Sequence, residues 1–263
     1  MTLQALIFDV DGTLAETEEM HRRAFNEAFA SLGLDWNWPP PLYKELLRIA
    51  GGKERILHYL VTHCPQDVTA HEREIPKIYA LKTKLYSAMV REGKVELRPG
   101  VARLIEEARG AGIRLAIATT TNPANVDALL QSAFAPSGES LFRVIVAGDE
   151  VAAKKPAPDV FDVAVRRLGL RASACIAFED SANGVLSARR AGLAVVATPS
   201  AYTAEDDFTG AVSVVSSLGE PGEPHQHLAG WIWPSGFVSV AELRKRAEEL
   251  AQGRAAKLNF SKS

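Results

Sequence analysis

Phe8-Asp9-Val10-Asp11-Gly12-Thr13-Leu14 sets two carboxylates two residues apart where an apolar run ends. The run before them, residues 3–8, is apolar on both faces, as expected of a strand inside a parallel sheet. Ligands of open α/β sheets bind beyond the carboxyl ends of the strands, and Asp9 and Asp11 fall there. Gly12 lets the chain turn away and opens a backbone approach to an anion.

From about residue 97 onward the chain alternates short apolar runs with amphipathic stretches. Strands are predicted at 113–118, 142–147, 174–178, 193–197 and 211–215. Helices are predicted at 101–109, 123–132, 158–168 and 181–191. That rhythm indicates right-handed βαβ units. Residues 15–91 break it: Phe25, Ala28, Phe29 and Leu32, then Ile75, Ile78, Tyr79, Lys82, Leu85 and Met89, recur at helical spacing. The expected fold is therefore α/β, a doubly wound parallel sheet with an inserted all-helical cap. The core is expected from 1–14 and 98–263 and the cap from 15–97. Two hinge strands are expected at 14–17 and 92–99.

Within the insert, Trp36-Asn37-Trp38-Pro39-Pro40-Pro41 reads as a loop, because consecutive prolines do not continue a helix. Gly219-Glu220-Pro221-Gly222-Glu223-Pro224 reads as a turn-rich linker. A last helix is expected from Ser239, with Glu242 closing a capping box and Val240, Leu243, Ala247 and Leu250 forming its apolar stripe. The final dozen residues are expected to be unstructured.

The 263 residues carry a formal net charge of −2, which argues against bulk nucleic-acid binding. No run approaches the roughly 18 apolar residues of a spanning helix. No leader is expected, since the first apolar stretch is interrupted by Asp9 and lacks a basic start. Cys64 is placed in a helical region and Cys175 in a buried strand, so both are expected as reduced thiols. A cytoplasmic monomer is expected, or a plastid-stromal one in a plant, with a small molecule as partner and neither nucleic acid nor membrane.

Two acids at this spacing can divide one task. Asp9 can attack phosphorus and form an aspartyl phosphate. Asp11 can protonate the leaving alkoxide and then deprotonate the attacking water. A neighbouring negative charge is expected to raise the pKa of Asp11 and keep it protonated. Three further stations follow strand ends. Ala118-Thr119-Thr120-Thr121-Asn122 offers the Thr119 hydroxyl to a phosphoryl oxygen, with Thr120 and Asn122 as substrate-binding groups and Pro123 opening a helix. Lys154-Lys155-Pro156-Ala157-Pro158-Asp159 fixes the Lys155 ammonium where it can neutralise nucleophile and phosphoryl group. Phe178-Glu179-Asp180-Ser181 adds two acids. With Asp9 and the backbone carbonyl of Asp11, Asp180 makes an oxygen-rich site suited to Mg²⁺, assisted by Glu179 directly or through water.

These four stations resemble the motifs of the haloacid-dehalogenase superfamily: Asp9-Val10-Asp11-Gly12-Thr13, Thr119, Lys155 and Glu179-Asp180. The resemblance spans residues 1 to about 218, and the insert sits where that superfamily places a helical cap. It implies a Mg²⁺-dependent phosphoryl-transfer enzyme; the second aspartate separates phosphatases and mutases from true dehalogenases. Within the superfamily the chain resembles the β-phosphoglucomutase/CbbY-like branch. The cues are the run ending in Thr17-Glu18, His21, Gly51-Gly52-Lys53-Glu54-Arg55 and Lys155-Pro156-Ala157-Pro158-Asp159. Glu16 and Lys154 depart from its commoner residues. The resemblance implies removal of the 1-phosphate of xylulose 1,5-bisphosphate, in connection with carbon fixation.

A bisphosphate needs a second anion site. Lys53 and Arg55, after a Gly-Gly turn, are expected to supply it. Glu18 and His21, near the first hinge, are expected to hydrogen-bond sugar hydroxyls. Arg22, Arg23 and Arg48 read as solvated. Rival readings are a β-phosphoglucomutase-type phosphomutase, a phosphonate hydrolase using Lys53 as a Schiff base, and a non-enzymatic phospho-acceptor domain.

Overall fold

The computed structural model describes residues 2–93, 95–134 and 141–260. The chain opens with β1 (Ala5–Phe8) and enters α1 (Glu18–Ser31), α2 (Pro40–Leu46), α3 (Gly52–His63), α4 (Val68–His71) and α5 (Ile75–Glu92). It returns through α6 (Val101–Gly110), β2 (Arg114–Ala118), α7 (Pro123–Phe134), β3 (Val144–Val146), α8 (Asp159–Leu168) and β4 (Cys175–Glu179). It ends with α9 (Ala182–Arg190), β5 (Ala194–Ala197), β6 (Ser213–Val215), β7 (His227–Gly230) and α10 (Val240–Phe260).

The seven strands form one sheet in the order β3-β2-β1-β4-β5-β6-β7, parallel except for β7. β1 lies between β2 and β4, where the strand order reverses, with Phe8 level with Ile117 and Phe178. Side chains alternate across the sheet. Leu6, Phe8, Ile117 and Phe178 pack with α6, α7 and α10; Ala5, Ile7, Ala116 and Ala177 pack with α8 and α9. Both faces are covered, as in a doubly wound fold. The Phe8 and Phe178 rings stack at 4.7 Å. Burying each contributes about 2 kcal/mol, and the stack adds about 1 kcal/mol.

The segment after β1 is helical and contains no strand among the described residues. It has its own core, built on Phe25, Phe29, Trp36, Trp38, Tyr43 and Tyr59. Two crossings join it to the sheet. Ala15 pairs antiparallel with Leu97, and the Arg98 N–H donates to the Leu14 carbonyl (2.9 Å). Lys94, within the expected second hinge, lies outside the described residues, as do residues 261–263.

Three expectations need correction. Pro40 and Pro41 do not prolong the loop; they open α2, because the first turn of a helix needs no backbone N–H donor. The stretch after 218 is no mere linker. It forms a turn closed by pairing of Glu220 with Glu223, then β7, which is exposed along its length and so carries no burial pattern to predict it. The last dozen residues are not unstructured throughout, since α10 runs to Phe260 through the helix formers of Ala251 to Leu258. Its start is as expected: the Ser239 hydroxyl accepts from the Glu242 N–H at 3.3 Å. Cys64 ends α3 and Cys175 opens buried β4, both as free thiols. No described helix is long and apolar enough to cross a membrane.

Candidate active site

The four stations meet at the carboxyl edge of the sheet, at the floor of a cleft of about 800 Å³ between the sheet and the helical segment. β1 delivers Asp9, β2 delivers Thr119, and β4 delivers Glu179 and Asp180. The Lys155 ammonium bridges Asp9 Oδ1 and Glu179 Oε1, each at 2.6 Å, with the lysine and both carboxylates buried. Thr119 is buried beside them and its hydroxyl helps to hold the Asp9 carboxylate.

Asp9, Glu179 and Asp180 each offer an oxygen, and these lie within 4.8 Å of one another. Burial pushes all three pKa values up. Lys155 partly offsets this for Asp9 and Glu179, while Asp11 raises Asp9, Asp9 raises Glu179, and both Asp9 and Glu179 raise Asp180. Burial likewise opposes the charge on Lys155, but the two carboxylates outweigh it and raise its pKa. The one ammonium reaches only two of these three buried acids, and Glu179 Oε2 has no hydrogen-bond partner. Hard oxygen donors short of positive charge fit a divalent cation. Two glycines make room for this cluster: a β-carbon on Gly12, which has φ +75°, would overlap the Asp180 carboxylate, and one on Gly184 would overlap that of Glu179. Asp180 does not cap the following helix; Ser181 does, accepting from the Gly184 N–H at 3.2 Å.

Asp11 departs from expectation. Burial would raise its pKa, but the His21 ring, by charge and hydrogen bond, and the hydroxyls of Thr121 and Thr17 hold it well below the usual carboxylate range. His21 Nε2 donates to Oδ1 at 2.8 Å, Thr17 Oγ1 donates to the same oxygen at 2.5 Å, and Thr121 Oγ1 donates to Oδ2. Asp11 is therefore a caged carboxylate, because the donors around it outweigh its acidic neighbours.

His21 is also corrected. One ring nitrogen engages Asp11 and the other is hydrogen-bonded to Lys82 Nζ at 2.5 Å, while the ring stacks on Tyr86 at 3.9 Å. It orients Asp11 and Lys82 and leaves no ring nitrogen for a sugar. Lys53 lies over the Tyr79 ring at 5.8 Å and is not itself among the residues lining the cleft, whereas Gly52 and Tyr79 are. Asn122 turns away as well: its Oδ1 accepts the Ala124 N–H at 2.9 Å, a cap at the start of α7. Glu18 and Thr120 do line the cleft, and Glu18 accepts the Tyr43 hydroxyl at 2.7 Å. Arg55 lines it too, donating to Tyr43 Oη at 3.3 Å and to the carbonyls of Leu46 and Ile49 at 3.2 Å. Arg48, read as solvated, stands on the rim.

Thr17, Thr121, Lys82 and Asn125 also build the site, and sequence reasoning missed them. Asn125 lines the cleft from the first turn of α7, with its Oδ1 buried and unpartnered. Only the position of Thr121, two residues before a proline-started helix, carried a signal. Across the mouth, Tyr202 donates to Glu19 at 2.6 Å and Lys44 pairs with Glu205 at 2.7 Å.

A sheet with its order reversing at β1, a buried carboxylate at the end of that strand, and a lysine, a threonine and two acids converging on it define a phosphoryl-handling hydrolase. The haloacid dehalogenase-like hydrolase family matches residues 3–192. The chain belongs to that family and is a phosphatase within it. It is 51% identical to Protein CbbY of Cupriavidus necator over 231 residues, covering 87% of this chain and 91% of the relative. It superposes on the crystal structure of CbbY from Rhodobacter sphaeroides in complex with phosphate with TM-score 0.77 and 46% identity, over 84% of this chain and 96% of that one. A variant of the same CbbY, in complex with xylulose 1,5-bisphosphate, superposes with the same TM-score, identity and coverage.

Proposed function

We propose that this chain is a Mg²⁺-dependent sugar-phosphate phosphatase that removes the 1-phosphate of xylulose 1,5-bisphosphate through an aspartyl phosphate on Asp9. The observation that carries the chemistry is the buried group of Asp9, Lys155, Glu179 and Asp180. The substrate is supported by the likeness to a CbbY structure holding that sugar.

Asp9, Asp180 and Glu179, with the Asp11 carbonyl, would hold Mg²⁺, which when bound neutralises phosphoryl oxygens. Lys155 adds a fixed positive charge and Thr119 a hydroxyl donor, both in place before the substrate arrives. An Asp9 carboxylate oxygen attacks phosphorus and the bond to the sugar oxygen breaks. The electron pair leaves on that oxygen, which takes a proton from Asp11. The caged carboxylate acquires this proton along its hydrogen bond with His21. Water then attacks the phosphorus, Asp11 takes the water's proton and returns it along the His21 hydrogen bond, and the bond to Asp9 breaks to release phosphate.

Residues 15–97 act as a cap domain over a core formed by 1–14 and 98–263. Glu18, Thr120 and Asn125 face the sugar, and Arg48 and Arg55 present positive charge to the distal phosphate. The substrate is a small molecule, and no second chain is needed to complete the site.

The test is phosphate release across sugar mono- and bisphosphates, with and without a chelator. Preference for xylulose 1,5-bisphosphate, lost with EDTA and restored by Mg²⁺, is the expected result. Isomerised hexose phosphate without free phosphate would instead assign a mutase. Full activity in EDTA would remove the metal.

A further inference from the structure

Arg98 does not line the cleft, yet its side chain reaches the back of the catalytic loop. It sits on the second crossing between helical segment and sheet, 8% exposed. Nη1 donates to the carbonyl of Gly12 and to that of Thr198 (2.6 Å). Nη2 donates to the carbonyls of Pro199 (2.7 Å) and Ser216 (3.0 Å). Nε faces Glu16 Oε1 on the first crossing at 3.2 Å. A buried guanidinium held mainly by neutral carbonyls is costly, and a packed apolar side chain would fill the space at lower cost. What arginine adds is a rigid fork of directed N–H groups.

Two routes lead from this fork to Asp180. Gly12 is pinned at both ends, its N–H donating to the Ala15 carbonyl (2.8 Å) and its carbonyl accepting from Arg98. A β-carbon placed on it would overlap the Asp180 carboxylate. Thr198 and Pro199 begin the loop whose Thr203 hydroxyl donates to the Asp180 carbonyl (2.6 Å) and whose Ser200 hydrogen-bonds Thr203 (2.9 Å).

We propose that Arg98 is a positioning residue: it locks Gly12 and the 198–203 loop so that Asp180 points at Asp9, and through Glu16 it links that lock to the setting of the helical segment. This rests on reading Asp9 and Asp180 as metal ligands.

The test is calorimetric titration of the full chain with Mg²⁺, without substrate, for the parent, Arg98→Lys and Glu16→Gln. Lysine keeps the charge and loses the fork. Folded Arg98→Lys is expected to bind Mg²⁺ roughly tenfold or more weakly. Its kcat on p-nitrophenyl phosphate falls while KM stays put. A lowered melting temperature with parental Mg²⁺ affinity and kcat would mean mere structural support and would overturn the proposal. Glu16 is half-exposed, so Glu16→Gln keeps the test open if Arg98→Lys does not fold. It is expected to weaken Mg²⁺ binding by roughly threefold, the scale of a partly exposed ion pair, at an unchanged melting temperature. Parental affinity there overturns the link to the helical segment. A parent that binds Mg²⁺ but releases no phosphate sinks the functional reading alone; a parent that binds no Mg²⁺ sinks this proposal.

Discussion

Replacing Lys82 with methionine should change how stability depends on pH. Lys82 is 3% exposed and lies over the Phe25 and Tyr86 rings at 4.8 and 5.0 Å. Burial, only partly offset by Asp11 and Glu18, brings its pKa from 10.5 down to about 7. Above pH ~10.5 the amine is neutral in both folded and unfolded chains, and burial costs nothing through this group. Between those values the unfolded chain holds a proton that the folded chain lacks. Stability therefore falls with falling pH, by about 1.4 kcal/mol per pH unit. Below pH ~7 both states are protonated and the full cost, about 5 kcal/mol, persists. Methionine is similar in length and carries no proton. Packing differences between Lys82→Met and the parent do not vary with pH, so they cancel in the slope. Urea unfolding at pH 7, 8 and 9 should show the variant gaining on the parent by about 2 kcal/mol from pH 9 to pH 7. Parallel curves would refute the reasoning, because they would mean that Lys82 keeps its proton on folding at no cost.

Asp9→Asn should lower phosphate release about a thousandfold or more with an unchanged circular dichroism spectrum; retained turnover would unseat the nucleophile. Gly184→Ala drives a β-carbon into the Glu179 carboxylate, which cannot withdraw without leaving Lys155. It should cost about 2–4 kcal/mol in urea unfolding, and a loss under about 0.5 kcal/mol would contradict the packing. Arg55→Ala should raise KM for a bisphosphate roughly tenfold while leaving that for a monophosphate nearly unchanged. Equal losses on both substrates would remove Arg55 from the distal phosphate.

What was legible in the chain was whatever lies on a buried strand or at its end. Residues 3–8, 113–118 and 174–178 show themselves as apolar runs because both faces of the sheet are covered, and the polar residues that follow them are the site. Lys82 was legible as part of an inward stripe, but not as a partner of His21 61 positions away, because no local pattern encodes contact between distant helices. Thr121 was overlooked for Thr119, since adjacent hydroxyls look alike until the turn points one at Asp11. Lys53 and Asn122 were misplaced because a charge after a glycine pair and an amide before a helix have ordinary local uses. β7 carries no burial and therefore no periodicity. The protonation of Asp11 was misjudged because its acidic neighbours stand in the sequence beside it, whereas His21 and Thr121 arrive only with the fold.

The central position of β1 bears on how the molecule is made. β1, which ends at Asp9, is translated before both of its neighbours, and its edges are satisfied only when β2 and then β4 pair with it. Asp180 emerges from the ribosome long after Asp9, and parallel partners of this kind cannot close locally. A nascent or truncated chain lacking β4 should therefore be chemically silent, and its first strand an open edge in want of shelter. Catalytic competence should appear in one late step, when that strand is enclosed on both sides.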